Sequence, residues 1–446
     1  MTSHMTHLRA CRRKKGDHMR ARWAVLAVIP AVLLALSSGY PSAAGTGVQV
    51  GPTARFVLAP ATRAASRGAS LGVLVVSNNW AGTADIVDLR TLRTVKRVNV
   101  IPDKAQRIAE IESNPVRKFY FDSIRTLVGE GHNQYVDDGF PSRDGRLIYF
   151  SRPSFADVVA INVHSGHIVW RVPVDGYRAD HMALSSSGSR LLVSASTART
   201  VDVIDTTRGR IVARIPSGDS PHESNFSPDG RLVYHASIGT VYSNTDAPSQ
   251  DSTKGERVFE IINAHTYKVI KRIDIARKLA SAGLGASAAI RPMAIAPDGR
   301  HIYFELSFLH GFVEYDLRAA RVTRIALLPI SPAVRKLPRQ AYLLDSAMHG
   351  LALNPAGTRL CVAATMSGYA AIVSRRTLQP IRIIHVGHIP YWATSDPSGR
   401  HCFMSVARDN RVAVIDYARA RLVRLIKVGL HPQRMRTGRL LTSALR

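Results

Sequence analysis

One phrase recurs along this chain, and its repetition constrains the fold more than any other feature. The clearest copies are SRDGRLIYFS (142–151), SPDGRLVYHAS (227–237), APDGRHIYFELS (296–307) and DPSGRHCFMSV (396–406). Weaker copies are SSSGSRLLVSAS (185–196) and NPAGTRLCVAAT (354–365), and LGVLVVSNN (71–79) is a seventh without the turn. The turn glycines Gly145, Gly188, Gly230, Gly299, Gly357 and Gly399 are spaced by 43, 42, 69, 58 and 42 residues. After each copy comes an apolar alternation ending in Asp or a substitute, a short turn, and a second alternation. TVDVIDTTRGRIVARI (200–215), RVAVIDYARARLVRLI (411–426) and ADIVDLRTLRTVKRV (84–98) are examples. Alternation with period two marks strands, and Asp-Gly turns join them as hairpins. Each unit is therefore four antiparallel strands. Seven units predict an all-β chain, a seven-bladed β-propeller of four-stranded blades over 71–438.

The ends of the array predict ring closure. The first copy opens on its second strand, and the last runs into IKVGLHPQRMRTG (426–438), an inner strand with no partner after it. Residues 431–437 should complete the first blade, removing the free edges an open array would expose. Residues 439–446 read as a short basic tail.

Residues 1–22 carry seven basic side chains against one acid, and Trp23–Leu36 is uninterruptedly apolar. A small-residue run, Ser42-Ala43-Ala44, follows. This is the pattern of a secretory signal peptide over 1–44, with Met19 as an alternative start and 45–70 as a linker. Fourteen apolar residues fall short of a membrane span. The chain carries a formal +28 and is expected to be secreted or envelope-associated and monomeric. Its anionic neighbours would then be cell-envelope polymers and lipid headgroups, favoured over nucleic acid. Of its basic residues 49 are Arg and 11 Lys, a skew that coding bias explains as well as chemistry does. Three cysteines exclude a disulfide-stapled scaffold or a thiolate metal cluster. Cys361 and Cys402, on second strands of adjacent blades, are expected as separate buried thiols.

The VID-type strands, SPDG turns and the joints Gly218-Asp219-Ser220-Pro221, Gly387-His388-Ile389-Pro390 and Gly429-Leu430-His431-Pro432 resemble the YVTN/YncE-like seven-bladed propellers of exported bacterial proteins. The resemblance implies the fold and export. It leaves activity open, because propellers host lyases, lactonases, redox enzymes and binding modules. The long insertions depart from the family pattern.

Those insertions, 100–134, 238–256, 276–290 and 329–347, all fall in connections that open on one face of a propeller. Long loops of this kind are commonly functional, so they predict a lid or wall at that mouth of the channel. The inner strands begin on the same face. Counting back eight from each turn glycine gives Asp137, Asp180, His222, Arg291, His349 and Tyr391, with Asp138, His181, Glu223, Trp392, His431 and Arg434 beside them. These are the candidate ligand-binding residues. His181, His222, Glu223 and His349 could hold a divalent cation or act as acid and base. The bland alternative is that His and Asp merely satisfy backbone at strand ends. No H-x-x-x-H spacing occurs. The first reading is a non-catalytic binding protein, the second a metal-assisted hydrolase or lyase. Trp80, Trp170 and Trp392 are candidate stacking platforms, and the Arg-rich strands around Arg411, Arg419, Arg421 and Arg424 read as a solvated outer face.

Overall fold

The computed structural model describes residues 68–241 and 248–446. The expected signal segment and most of the expected linker lie outside the described residues. Gly68–Arg446 forms one compact unit of seven four-stranded antiparallel sheets. Blade 2 runs Gly139–Pro141, Leu147–Arg152, Asp157–Asn162 and Ile168–Pro173, and the next five repeat this plan. Blade 1 is the composite: Pro432–Leu441 is its inner strand, paired to Ser70–Asn78, with Thr83–Asp88 and Arg93–Asn99 outside. No helix among the described residues is long and apolar enough to cross a membrane.

Local chemistry explains both recurring turns. At the Asp-Gly turns Gly145, Gly230 and Gly299 have φ of +71°, +72° and +63°, a region that costs other residues 1 kcal/mol or more, by order of magnitude. The serine opening the phrase holds the turn: Ser227 Oγ donates to Asp229 at 2.5 Å and accepts the Leu232 N–H at 2.9 Å. Ser142 repeats this with Asp144 and Leu147. The terminal Asp or Asn of the third strand caps the next turn. Asp205 Oδ1 accepts from the Thr207 and Arg208 N–H groups, and Asn263 Oδ1 from His265 and Thr266. Those residues are conformational switches between strand and turn, which is why the phrase needs them.

Apolar side chains fill the gaps between neighbouring blades, so the core is a ring of layers rather than one mass. Val73, Val75, Ile86, Ile148, Phe150 and Val159 pack in one such layer. The outermost strands are half solvated, with Arg421 and Arg424 exposed, and Arg411 on the third strand and Arg419 in the turn between are exposed beside them.

Three features differ from the sequence expectation. The closing strand runs on to Leu441, and Thr442–Leu445 forms a 3-10 turn with Leu440 and Ala444 buried, so the expected basic tail is folded into blade 1. The 100–134 insertion is helical over Lys104–Glu112 and Pro115–Ser123, with Asn114 accepting the Arg117 N–H as a cap. Cys361 and Cys402 are disulfide-bonded, not separate thiols. The layer between blades 6 and 7 is lined by Ala352, Ala363, Ala370, Ala393 and Ala413. These small side chains bring the two Cα atoms to 6.5 Å, inside the bridging range.

Candidate functional site

The inner strands do not begin as regular strands. In blade 3 Ala179 pairs with Ala195 and Met182 with Val193, so Asp180 and His181 together face a single partner. Equivalent bulges occur at His222, at Arg291-Pro292, at Tyr391 and at Gln433-Arg434. In blades 2 and 6 the regular inner strand starts late, at Gly139 and Leu351, leaving Asp137, Asp138 and His349 in the irregular lead-in. A bulge twists the strand and re-aims its side chains. Here the bulges of five blades and the irregular lead-ins of blades 2 and 6 turn a polar or aromatic residue of every blade toward the others.

The result is one buried cluster spanning the channel. His181 and His222 rings lie 3.8 Å apart, His222 and His349 5.6 Å, and His349 stacks on Tyr391 at 4.2 Å. His181 of blade 3 is edge-on to Trp392 of blade 7, with centroids 6.0 Å apart. Glu223 Oε2 pairs with His181 Nδ1 at 2.9 Å, and Glu223 Oε1 accepts from Asn225 at 2.9 Å. Arg434 donates to Asp137 at 2.6 Å, and Arg436 grips both oxygens of Asp138 at 2.9 and 2.7 Å. Both guanidinium groups lie 4.9 Å from the Trp392 ring centroid, in cation–π range. Arg178 bonds Asp180, Ser196 and, at 3.1 Å, Gln134 of the first insertion.

Burial sets the electrostatics. Desolvation drives His181, His222 and His349 well below the usual imidazole range, assisted by Arg434 at His181 and His349 and by His349 at His222, so all three are neutral. The same desolvation pushes Glu223 and Asp137 up to about 7, against the opposing pull of nearby arginines. Tyr391 rises to about 12. Three neutral imidazoles beside two carboxyl groups balanced near neutrality can bind a cation, accept and donate hydrogen bonds, or move a proton. The ligand-type atoms of His181, His222 and Glu223 lie within 4.8 Å of one another, as do those of Asp137, Asp180 and His181.

Eleven of the twelve sequence candidates therefore converge. His431 does not: its ring stacks on Trp80 at 3.8 Å, with His132 on the other face at 3.9 Å. That stack anchors the 100–134 insertion. Arg291 is in the cluster but committed to Ser307, at 3.0 Å, and to the Leu344 carbonyl. The site is also drier than the wet mouth the sequence suggested, with His222 4% and His349 2% exposed. Trp392 meets His181 edge-on and carries the Arg434 and Arg436 guanidinium groups, whereas Trp170 donates to Thr206 and packs on Tyr149.

Sequence reasoning missed Arg178, Arg436 and Glu305. Arg436 follows Arg434 by two on a strand, the spacing that keeps one face, and this could have found it. Glu305 stands six residues after its turn glycine, where other copies carry Ser or Ala. It is fully buried, accepts the Gly350 N–H at 2.9 Å, and leaves Oε1 unpartnered among the described residues.

Two insertions reach this cluster, Gln134 through Arg178 and the Leu344 carbonyl through Arg291. Lys254 of a third pairs with Asp345 of the second at 2.5 Å, both buried. Ile238, Val241, Ala289 and Leu344, from three of the insertions, pack together.

No family model and no curated protein matches the sequence. Among solved structures the chain is similar to Kuenenia stuttgartiensis Hydrazine Synthase, with a TM-score of 0.50 and 17% identity over 67% of this chain and 88% of that one. At this identity the likeness extends to the fold alone, and with the seven closed sheets it makes the chain a β-propeller.

Proposed function

We propose that this protein is an exported, divergent relative of the YVTN/YncE-like propellers that binds a small polar molecule or an anionic envelope component at the insertion-bearing mouth. The observation carrying this reading is that all seven blades deliver polar or aromatic side chains to one cluster through backbone irregularities at equivalent positions. Strand-end punctuation would satisfy its own blade. Here side chains contact across non-adjacent blades, and several polar atoms, among them Asp137 Oδ2, His222 Nδ1 and His349 Nδ1, have no partner among the described residues. Buried polar atoms without partners are costly unless something else meets them. Export is supported by the N-terminal sequence pattern and by the Cys361–Cys402 bond, a cross-link suited to an oxidising compartment.

A metal-assisted hydrolase or lyase is the second reading, favoured by Glu223 and Asp137 poised at about 7 beside the neutral imidazoles. Native mass spectrometry of exported protein, followed by a thermal-shift panel of organic acids and anionic glycans, tests the binding reading. The double variant His222→Ala/His349→Ala should weaken ligand affinity at least tenfold while melting within a few degrees of the parent. A large fall in melting temperature with affinity per folded molecule unchanged would sink the reading in favour of strand-end punctuation.

A further inference from the structure

We propose that Asp137, Asp180 and His181 hold a divalent first-row transition-metal ion at the channel mouth. The inference rests on the mouth being a binding site and specifies part of what it binds. One ligand-type atom from each residue lies within 4.8 Å of the other two. Each of the three is anchored on its far side and turns its second atom toward the others. Asp137 Oδ1 receives Arg434 at 2.6 Å, while Oδ2 is buried and has no partner among the described residues. Asp180 Oδ2 is held by Arg178. Its Oδ1 stands 3.6 Å from His181 Nε2, beyond hydrogen-bonding distance. His181 Nδ1 is bonded to Glu223 at 2.9 Å. A carboxylate on one ring nitrogen keeps the proton there and presents the other nitrogen's lone pair to a metal.

An ion about 2.0–2.2 Å from each donor places neighbouring ligand atoms roughly 3 Å apart, so the observed separations close with small side-chain movements. One imidazole with two carboxylates suits Mn²⁺, Fe²⁺ or Zn²⁺. Calcium and magnesium prefer all-oxygen sets, and Cu⁺ prefers sulfur. Three protein donors leave further positions for water or a ligand oxygen. The set His181, His222 and Glu223 is equally compact. It would require His181 and Glu223 to give up their mutual hydrogen bond, which the aspartate set keeps.

The test uses the full chain, exported and purified without a polyhistidine tag or chelator. Elemental analysis should return about one equivalent of a transition metal. After stripping with EDTA, titration with Mn²⁺ and Zn²⁺ should restore one equivalent and raise the melting temperature. Asp137→Asn and Asp180→Asn each leave a mostly buried arginine without its anion and should melt below the metal-free parent, but per folded molecule each should weaken that binding at least 100-fold. Failure of the parent to bind either ion, or equal binding in both variants, overturns the site. A small molecule still bound by the stripped protein would leave the mouth reading standing without the ion. Loss of the ion from His222→Ala with retention in Asp180→Asn would overturn the assignment and move the ion to the histidine side.

Discussion

Arg434 and Asp137 are separated by 297 positions in the sequence, yet they form a 2.6 Å ion pair with both side chains only 2% exposed. The pair joins the closing strand of blade 1 to the start of blade 2, so the bond that completes the ring also shapes the cluster. Arg434→Ala should cost about 3–5 kcal/mol, the typical loss when one partner of a buried pair is removed. Adding Asp137→Asn should recover part of it. Denaturant melts of the two variants check this, and a strictly additive pair would show that closure does not depend on the contact.

Deleting residues 429–446 removes the inner strand of blade 1 and uncovers the backbone edge of Ser70–Asn78. Loss of cooperative unfolding and aggregation are expected, because unpaired edges template pairing with other chains. An unchanged melting transition would mean the ring is held some other way.

The Cys361–Cys402 bond closes a loop across blades 6 and 7, with the two residues 41 apart in sequence. In the chain-entropy picture a loop of that length contributes roughly 4 kcal/mol. The double Cys→Ser variant, and the parent under dithiothreitol, should therefore melt several degrees lower by the same amount. Equal melting of oxidised and reduced parent would contradict the cross-link.

His235 is fully buried between two hydroxyls, with Ser217 Oγ at 2.7 Å and Ser224 Oγ at 2.9 Å from its ring nitrogens. Burial lowers it from 6.5 to about 4. A depressed folded-state value means the neutral form is favoured on folding. Its contribution is complete above pH 6.5 and is lost as the pH falls from 6.5 toward 4, amounting to roughly 3 kcal/mol at the 1.36 kcal/mol per unit conversion. Urea melts at pH 7 and pH 4.5 should show this loss, reduced in His235→Gln.

The Lys254–Asp345 pair ties the 238–256 and 329–347 insertions together. Lys254→Met should raise hydrogen exchange in 329–347 and quicken ligand release, leaving the blade strands protected. Unchanged exchange there would show that the apolar packing of Ile238 and Leu344 holds the cover unaided.

The fold was legible because each blade repeats its own turn chemistry: Ser227, Asp229 and Gly230 need no information from elsewhere in the chain. The site was legible in position, since a fixed count from those glycines reaches Asp137, His222 and His349. It was not legible in its partnerships. A period-two reading assumes an unbroken ladder, and the bulges at Asp180-His181 and Gln433-Arg434 break it, so which side chains meet depends on register irregularities no alternation reveals. His431 was misplaced for a related reason: its φ of +54° turns it out of the strand, onto Trp80. The disulfide was missed because the approach of blades 6 and 7 is governed by alanines spread over several strands, a tertiary distance rather than a local one.

The extra residue at the head of five of the seven inner strands is a property of backbone hydrogen bonding, not of the side chain that occupies it. Asp, His, Arg and Tyr all stand at that position in different blades of this one ring. The frame can therefore be kept while its lettering is exchanged, blade by blade. A designer could vary those positions as a combinatorial library without disturbing the scaffold, and natural divergence has the same freedom. Related rings with unrelated ligands, and little shared sequence, are the outcome such an arrangement permits.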